Sequence, residues 1–308
     1  MLFLSGGTGT PKLLQGVKTL LPQEDITIIV NTAEDTWESG NLVCPDIDTI
    51  LYLFSDQIDE TKWWGVKHDT FHTHNALKKL GEREQMMIGD TDRASHILRS
   101  NLIRAGKNLT EATQILARQM HIKASILPMS NDSVATTLHT DKGWLHFQDF
   151  WITERGAPHI KQVRIKGIER AKITENVRNA IESEDTIIIG PSNPVTSIGP
   201  ILRLRGMKDL LKDKKVIAIS PVINNKPVSG PAGKLLSAEG YNVSSTGVAE
   251  YYGDILSLFV IDKQDNTSPE EFDVPVVKMD TVMTSTKKSI ELAKKIQEFN
   301  ACMGSNIR

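Results

Sequence analysis

The sequence predicts a doubly wound α/β fold, Rossmann-like, with a mostly parallel sheet and an α+β insertion in mid-chain. Three observations predict it. Short apolar, β-branched runs recur at Ile26–Val30, Thr186–Ile189, Val216–Ile219 and Leu258–Ile261. Each is nearly continuous rather than alternating, as in strands buried on both faces of a parallel sheet. Helical patterns lie between them, and the stretches that follow the strands are rich in glycine and polar residues, where such sheets bind ligands.

Taken in order, Met1–Leu4 is long enough only for a short buried strand, and Pro11–Leu21 reads as the helix after it. Proline suits a first helical turn, where its missing N–H costs nothing. A further helix starts near Pro45, with Ile47, Ile50, Leu51 and Phe54 as its buried stripe. Asp92–Gly106 and Leu109–Met120 read as consecutive helices, with Thr110 as a candidate cap for the second. Gly143–Ile152 and Gln162–Ile168 read as strands and Met207–Lys212 as a short helix. The closing helix, Ser285–Phe299, places Ile290, Ala293, Ile296 and Phe299 on one face. No repeat or linker interrupts the chain. It is expected to be one domain over 1–308, a core at about 1–60 and 184–308 carrying an insert at about 61–183.

Composition narrows the function. With 308 residues, 39% of them hydrophobic, the chain can bury a sizeable core. Its 36 basic and 38 acidic residues are interspersed, giving a net charge of −2, which argues against nucleic acid as a partner. Cys44 and Cys302 lie far apart, so no disulfide framework or cysteine zinc site is expected and the cytoplasm is the expected compartment. No run approaches the length of a membrane span, and Met1–Leu4 is too short for a signal peptide.

The first loop is Ser5-Gly6-Gly7-Thr8-Gly9-Thr10-Pro11-Lys12. Glycines let a backbone approach a phosphate, and a helix N-terminus favours an anion there. Lys12, one turn in, adds a point charge. The loop matches neither the dinucleotide fingerprint nor the P-loop. Asn31-Thr32-Ala33-Glu34-Asp35 follows the second strand and reads either as a ribose-holding acidic loop or as a solvated helix start. Asp46 and Asp48 are either routine helix-start charges, ligands for Mg²⁺, or acceptors of a hydroxyl proton. Gly89-Asp90-Thr91-Asp92-Arg93 carries the same ambiguity between cap and ligand. Gly190–Pro200 places Asn193 and Ser197 on a stiff, proline-flanked loop, and Val228–Lys234, with Gly230 and Gly233, resembles a second anion-cradling turn. His68, His72 and His74 have loose metal spacing without supporting carboxylates. Trp63 and Trp64 read as packing or interface residues. No nucleophile elbow is present.

Together these motifs resemble the 2-phospho-L-lactate transferase family: S-G-G-T-G-T-P-K-L-L, N-T-A-E-D, P-D-I-D-T-I-L-Y-L-F-S-D, I-L-P-M-S-N-D, Q-D-F-W-I, G-P-S-N-P-V-T-S-I-G-P-I and P-V-S-G-P-A-G-K. The resemblance runs from residue 1 to about Thr286. It implies a Mg²⁺-dependent enzyme, archaeal or bacterial and typical of methanogens, in biosynthesis of the deazaflavin coenzyme F-420. Such enzymes move a 2-phospholactyl or enolpyruvyl phosphate group from a guanosine diphospho-linked donor to the ribityl hydroxyl of Fo (7,8-didemethyl-8-hydroxy-5-deazariboflavin), releasing GMP. On that resemblance Asp48 positions the acceptor or serves as general base, and Asp90, Thr91 and Arg93 join it at Fo. Gly6, Gly7, Thr8, Gly9, Lys12, Asn193, Ser197, Gly230 and Gly233 take the nucleotide and its phosphates. Asp46 and Asp35 hold the metal, and a homodimer is implied. One position departs from the family pattern G-D-R-D: Thr91 stands in the arginine's place, with Arg93 two residues on. The rival reading is a regulatory protein of the gluconeogenesis-factor type, which shares the glycine-rich start and binds dinucleotides or nucleotide sugars. The P-D-I-D and Q-D-F-W-I segments set this chain with the transferases.

Overall fold

A computed structural model describes residues 1–82 and 84–305. In chain order the strands are β1 (Leu2–Ser5), β2 (Thr27–Val30), β3 (Thr36–Glu38), β4 (Asn41–Val43), β5 (Ser125–Pro128), β6 (Ala135–Thr140), β7 (Gly143–His146), β8 (Ile160–Lys166), β9 (Thr186–Ile189), β10 (Lys215–Ile219), β11 (Val222–Ile223), β12 (Lys226–Pro227), β13 (Leu258–Asp262) and β14 (Val276–Met279). The α-helices are α1 (Gly9–Leu20), α2 (Pro45–Phe54), α3 (His72–Lys79), α4 (Asp90–Arg104), α5 (Leu109–Gln119), α6 (Glu175–Ser183), α7 (Gly199–Leu202), α8 (Met207–Leu211), α9 (Ala232–Ala238), α10 (Ser245–Tyr252) and α11 (Thr286–Ser305).

Seven strands form one parallel sheet in the order β14-β13-β10-β9-β1-β2-β5. Numbered by appearance, that is 3-2-1-4-5-6-7, the dinucleotide-binding order extended by one strand. The expected doubly wound α/β fold is therefore the one formed. Strand pleating explains the continuous apolar runs. Leu2 and Leu4 face one core with Ile29, Ile187, Ile189 and Phe259, while Phe3 faces the other with Ile28, Ile188, Ile217 and Val260. Residues from α1, α2, α5 and α11 cover the second face. Helices α1 and α11 approach so closely that a Cβ on Gly16 would lie 2.2 Å from the Ser289 carbonyl oxygen.

Two central strands escaped the sequence patterns, and both are edges. β5 ends in Pro128, tolerated because an edge strand need not donate every N–H, and β14 (Val-Val-Lys-Met) carries an exposed lysine and is only partly buried. β5 falls inside 61–183, so the additions lie in two separate crossovers, one on each side of it. The second crossover carries an antiparallel sheet, β7-β6-β8. The strand expected over Gly143–Ile152 ends at His146, and Asp149–Thr153 forms a π-helical turn instead. Thr110 does not cap α5. Asn108 does, its side chain accepting from Glu111 N–H while the Glu111 carboxylate reaches back to Asn108 N–H, and Thr110 donates to Asn131. Cys44 is a buried free thiol; the side chain of Cys302 lies outside the described residues. No helix among the described residues is long and apolar enough to cross a membrane.

Candidate functional site

The sheet order reverses between β1 and β9, and ligands of doubly wound sheets sit at that switch point, beyond the strands' carboxyl ends. Two loops meet there: Gly6–Thr8 after β1, and Gly190–Asn193 after β9 with the π-helical turn Pro194–Ile198. Their contact is tight. A Cβ on Gly9 would lie 2.0 Å from the Pro191 carbonyl oxygen, and one on Gly6 would lie 2.7 Å from that of Ser197. These two positions are thus glycine because backbone meets backbone, a demand within the protein itself. Gly7 has φ of 59°, the left-handed region glycine enters freely, and a Cβ there would press on Ser197 Oγ. Thr8 begins α1 without a side-chain cap, and Thr10 N–H donates to Ser192 Oγ at 2.9 Å.

Asp46 enters this junction from the first turn of α2. Its Oδ1 accepts Gly7 N–H at 2.7 Å and its Oδ2 accepts Asn31 Nδ2–H at 2.8 Å. Asn31 also donates to the Thr196 carbonyl oxygen. Burial pushes the Asp46 carboxyl up to about 6, against the pull of its Asn31 and Gly7 hydrogen bonds. Glu34 is raised well above the usual range by burial and then by the Asp46 charge, and contact with Thr196 opposes this. Asp35 is raised by burial, with the Cys44 thiol and Arg99 pulling it down, and its buried Oδ1 has no hydrogen-bond partner among the described residues. The junction thus brings together Gly6, Gly7, Asn31, Asp46, Thr196 and Ser197, with Glu34 and Asp35 in electrostatic reach.

Asp48 points elsewhere. Residues two apart on a helix do not face each other, so Asp46 and Asp48 cannot share one ion. Asp48 is 4% exposed and bound by both arms of the fully buried Arg99, one of them 3.1 Å from its Oδ2. His96 Nε2 lies 3.2 Å from Asp48 Oδ2 and 3.0 Å from Asp92 Oδ1, an ion-pair spacing rather than an aligned hydrogen bond to either, while Nδ1 has no partner among the described residues. Tyr52 donates to Asp92 Oδ1 at 2.6 Å. Burial alone would raise the Asp48 carboxyl, but Arg99 and His96 overcome it and hold it well below the carboxylate range. Such a carboxylate is a poor proton acceptor and a firm anchor. Ligand-capable atoms of Asp48, Asp92 and His96 converge within 4.8 Å. Charge disfavours a cation there, because two carboxylates already balance one guanidinium and one imidazolium.

The remaining expected residues have structural partners. Asp90 caps α3 by accepting from Thr70 Oγ1, His72 N–H and Thr73 N–H, and Asp69 returns the arrangement at α4 by accepting from Thr91 N–H and Asp92 N–H. Thr91 is exposed. Arg93 makes a bidentate pair with Glu84, both bonds 2.7 Å, so its fork is occupied rather than offered to a ligand. His74 joins the same carboxylate, and the three histidines do not converge as a metal group. Asn193 caps the 194–198 turn through Val195 N–H and Thr196 N–H. Gly230 has φ of 66°, and Gly233, on the helix α9 that rests on the 194–198 turn, packs near Val243. Lys234 donates to the carbonyl oxygens of Gly156 and Ala157. Lys12 lies with Nζ 5.5 Å from the centre of the Trp63 ring.

Sequence reasoning passed over the Asp92–His96–Arg99 stripe. Its signal was present: positions i, i+4 and i+7 of one helix face are charged where a packed helix would carry apolar residues.

Glu34, Asp35 and Asp46 fit a divalent cation by chemistry. They are hard oxygen donors, Glu34 and Asp35 are raised by burial and by the Asp46 charge, and one Asp35 oxygen lacks a partner among the described residues. The only trio of ligand atoms that converges within 4.8 Å among the described residues is nevertheless that of Asp48, Asp92 and His96.

Residues 1–297 match the family model described as 2-phospho-L-lactate transferase CofD. The 2-phospho-L-lactate transferase of Methanosarcina mazei is 56% identical over 297 residues, covering 96% of this chain and 98% of that protein. That of Methanocaldococcus jannaschii is 45% identical and covers 96% of each. A crystal structure of a UPF0052-family protein from Bacillus halodurans overlays with a TM-score of 0.65 at 16% identity, covering 96% of this chain and 98% of that one, and shows the shared fold. Sequence likeness at this level over nearly the whole length goes with the switch-point site just described: the chain belongs to the 2-phospho-L-lactate transferase (CofD) family.

Proposed function

We propose that the protein transfers a 2-phospholactyl or enolpyruvyl phosphate group from a guanosine diphospho-linked donor to the ribityl hydroxyl of Fo, releasing GMP, in coenzyme F-420 biosynthesis. The observation that carries this is the junction of Gly6, Gly7, Asp46 and Ser197 at the switch point of a dinucleotide-order sheet, in a chain of this family.

The starts of α1 and α2 both abut this junction, so two helix N-termini favour negative charge at one place. The donor's diphosphate rests there, beside Lys12. Asp46 and Asp35, joined by Glu34, would hold Mg²⁺, which would supply positive charge to offset that of the diphosphate and of departing GMP. The acceptor hydroxyl oxygen attacks the phosphorus bearing the three-carbon group, its proton passes to solvent or to the departing phosphate, and the bond to the GMP phosphate breaks. Phosphoryl-type transfer draws its catalysis from placement and charge neutralisation, which is what this chain's residues supply. Asp48 acts by position: anchored by Arg99 and His96, it fixes the turn of α2 that presents Asp46. Asn193, Ser197, Gly230 and Gly233 face the nucleotide side. Asp90 and Arg93 shape the acceptor side through the caps and the Glu84 pair, and Thr91 is the exposed position there. The family resemblance also implies a homodimer in the cytoplasm, and light scattering on the purified chain decides the oligomeric state.

The test is direct. The protein is mixed with Fo, Mg²⁺ and lactyl-diphospho-guanosine, and GMP release matched by a more anionic deazaflavin is the expected result. No product, together with tight binding of NAD or a UDP-sugar, overturns this reading in favour of a regulatory nucleotide-binding protein.

A further inference from the structure

The segment between α2 and α3 holds a tryptophan that the site has not used. Residues 57–67 fold back on themselves: Asp59 N–H donates to the Gly65 carbonyl oxygen at 3.0 Å, Lys67 N–H donates to that of Gln57 at 2.7 Å, and Ile58 bridges Val66. At the tip Trp63 N–H donates to the Asp59 carbonyl oxygen at 2.8 Å, and Trp63 adopts φ of 62°. A bulky aromatic residue in the left-handed region is an outlier that the surrounding contacts must sustain. The conformation sets the ring against Lys12, in the first turn of α1 beside Gly6–Gly9.

Lys12 itself is unusual. It is half-buried, burial lowers its pKa, and among the described residues no carboxylate pairs with it. A partly desolvated ammonium without a counter-ion is costly unless something else faces it, and here that is the electron-rich face of an indole. Lys18, two turns further along the same helix, is paired with Asp56, so the helix's environment does not exclude carboxylate partners. The aromatic partner leaves Lys12 free to bond an anion.

We propose that Trp63 is a positioning residue for nucleotide binding: its ring holds the Lys12 ammonium beside the glycine loop and keeps that contact while the donor's diphosphate bonds the ammonium from its other side. An ammonium carries three donors, so a phosphate oxygen can bond it without displacing the ring, and the ring keeps the cation in place for the ligand. This rests on reading the glycine loop as the diphosphate site.

Calorimetric titration with GDP tests it on the wild type, Lys12→Ala, Trp63→Phe, Trp63→Leu and the Lys12→Ala/Trp63→Leu pair. Leucine keeps bulk at the tip but has no ring face. Trp63→Leu is expected to weaken GDP binding roughly fivefold, the size a half-buried cation–π contact corresponds to. Trp63→Phe is expected to stay close to wild type, and the pair to be no weaker than Lys12→Ala alone. GDP is also expected to change wild-type tryptophan emission, with the change lost in Trp63→Phe. If Trp63→Leu binds as wild type does, or its loss adds in full to that of Lys12→Ala, the role assigned to Trp63 falls while the nucleotide site stands. If the wild type takes up no GDP, the diphosphate reading falls, and this proposal with it. A melting curve on each variant separates lost folding from lost affinity.

Discussion

Asp46 Oδ1 accepts the backbone N–H of Gly7 at 2.7 Å, joining the first turn of α2 to the glycine loop across 39 residues of chain. Its second oxygen takes Asn31, so one side chain ties together the carboxyl ends of β1 and β2 and the start of α2. Asp46→Asn keeps an oxygen for Gly7 but sets an amide donor opposite Asn31. The expected outcome is a fold retained within about 2 kcal/mol and turnover lowered by roughly a hundredfold or more, as charge placed for a phosphoryl transition state is lost. A thermal melt and GMP release measure the two.

Gly9→Ala is expected to be far more damaging to folding than an ordinary helix-start substitution, because its Cβ would lie 2.0 Å from the Pro191 carbonyl oxygen. Backbone must move, and the cost is about 1–3 kcal/mol or more. Urea unfolding against wild type checks it; an unchanged midpoint would show the two loops are not packed as described.

Asp48→Asn leaves the Arg99 guanidinium buried without its counter-ion. Removing one partner of such a pair costs about 3–5 kcal/mol, so the melting temperature is expected to fall sharply. At a temperature where the variant is folded, turnover is also expected to fall, because the α2 turn carrying Asp46 loses its anchor. Unchanged turnover there would remove any proton or positioning role from Asp48.

Stability is expected to decline at alkaline pH through His96. Burial lowers its pKa, but Asp48 and Asp92 outweigh that and raise it to about 9 from 6.5. Arg99 and Tyr52 are the other polar groups of the same cluster. The folded state favours the protonated ring, so the stabilisation is fully present below pH 6.5 and is lost as pH rises through about 9. A shift of this size corresponds to at most about 3 kcal/mol. Urea midpoints at the two ends of that window should differ more for wild type than for His96→Gln.

Thr91→Arg restores the arginine of the family pattern at an exposed first-turn position. Stability is expected to stay within about 0.5 kcal/mol, as for most surface substitutions. If this position meets the acceptor, the KM for Fo falls while kcat holds. A KM unchanged within error would show that Thr91 lies outside the acceptor site.

The sequence by itself determined the doubly wound α/β fold, because buried parallel strands require apolar residues on both faces, and the pairs Phe3–Leu4, Ile28–Ile29, Ile188–Ile189 and Phe259–Val260 supply one to each face in uninterrupted runs. It also marked the loops at the strand ends, since glycine, proline and small polar residues there have local causes. It did not reveal the edges: β14 is covered less fully and β5 ends in proline, so neither carries the full pattern. Only the tertiary structure decided what the marked residues face. Asp46 and Asp48 read alike in the chain, yet two positions of helix turn send one to Gly7 and the other to Arg99, 51 residues away. Likewise Arg93 met Glu84, and Lys12 met an indole ring. Hydrophobic periodicity is a local property and can be read along the chain, whereas which charge meets which is fixed by how distant segments pack.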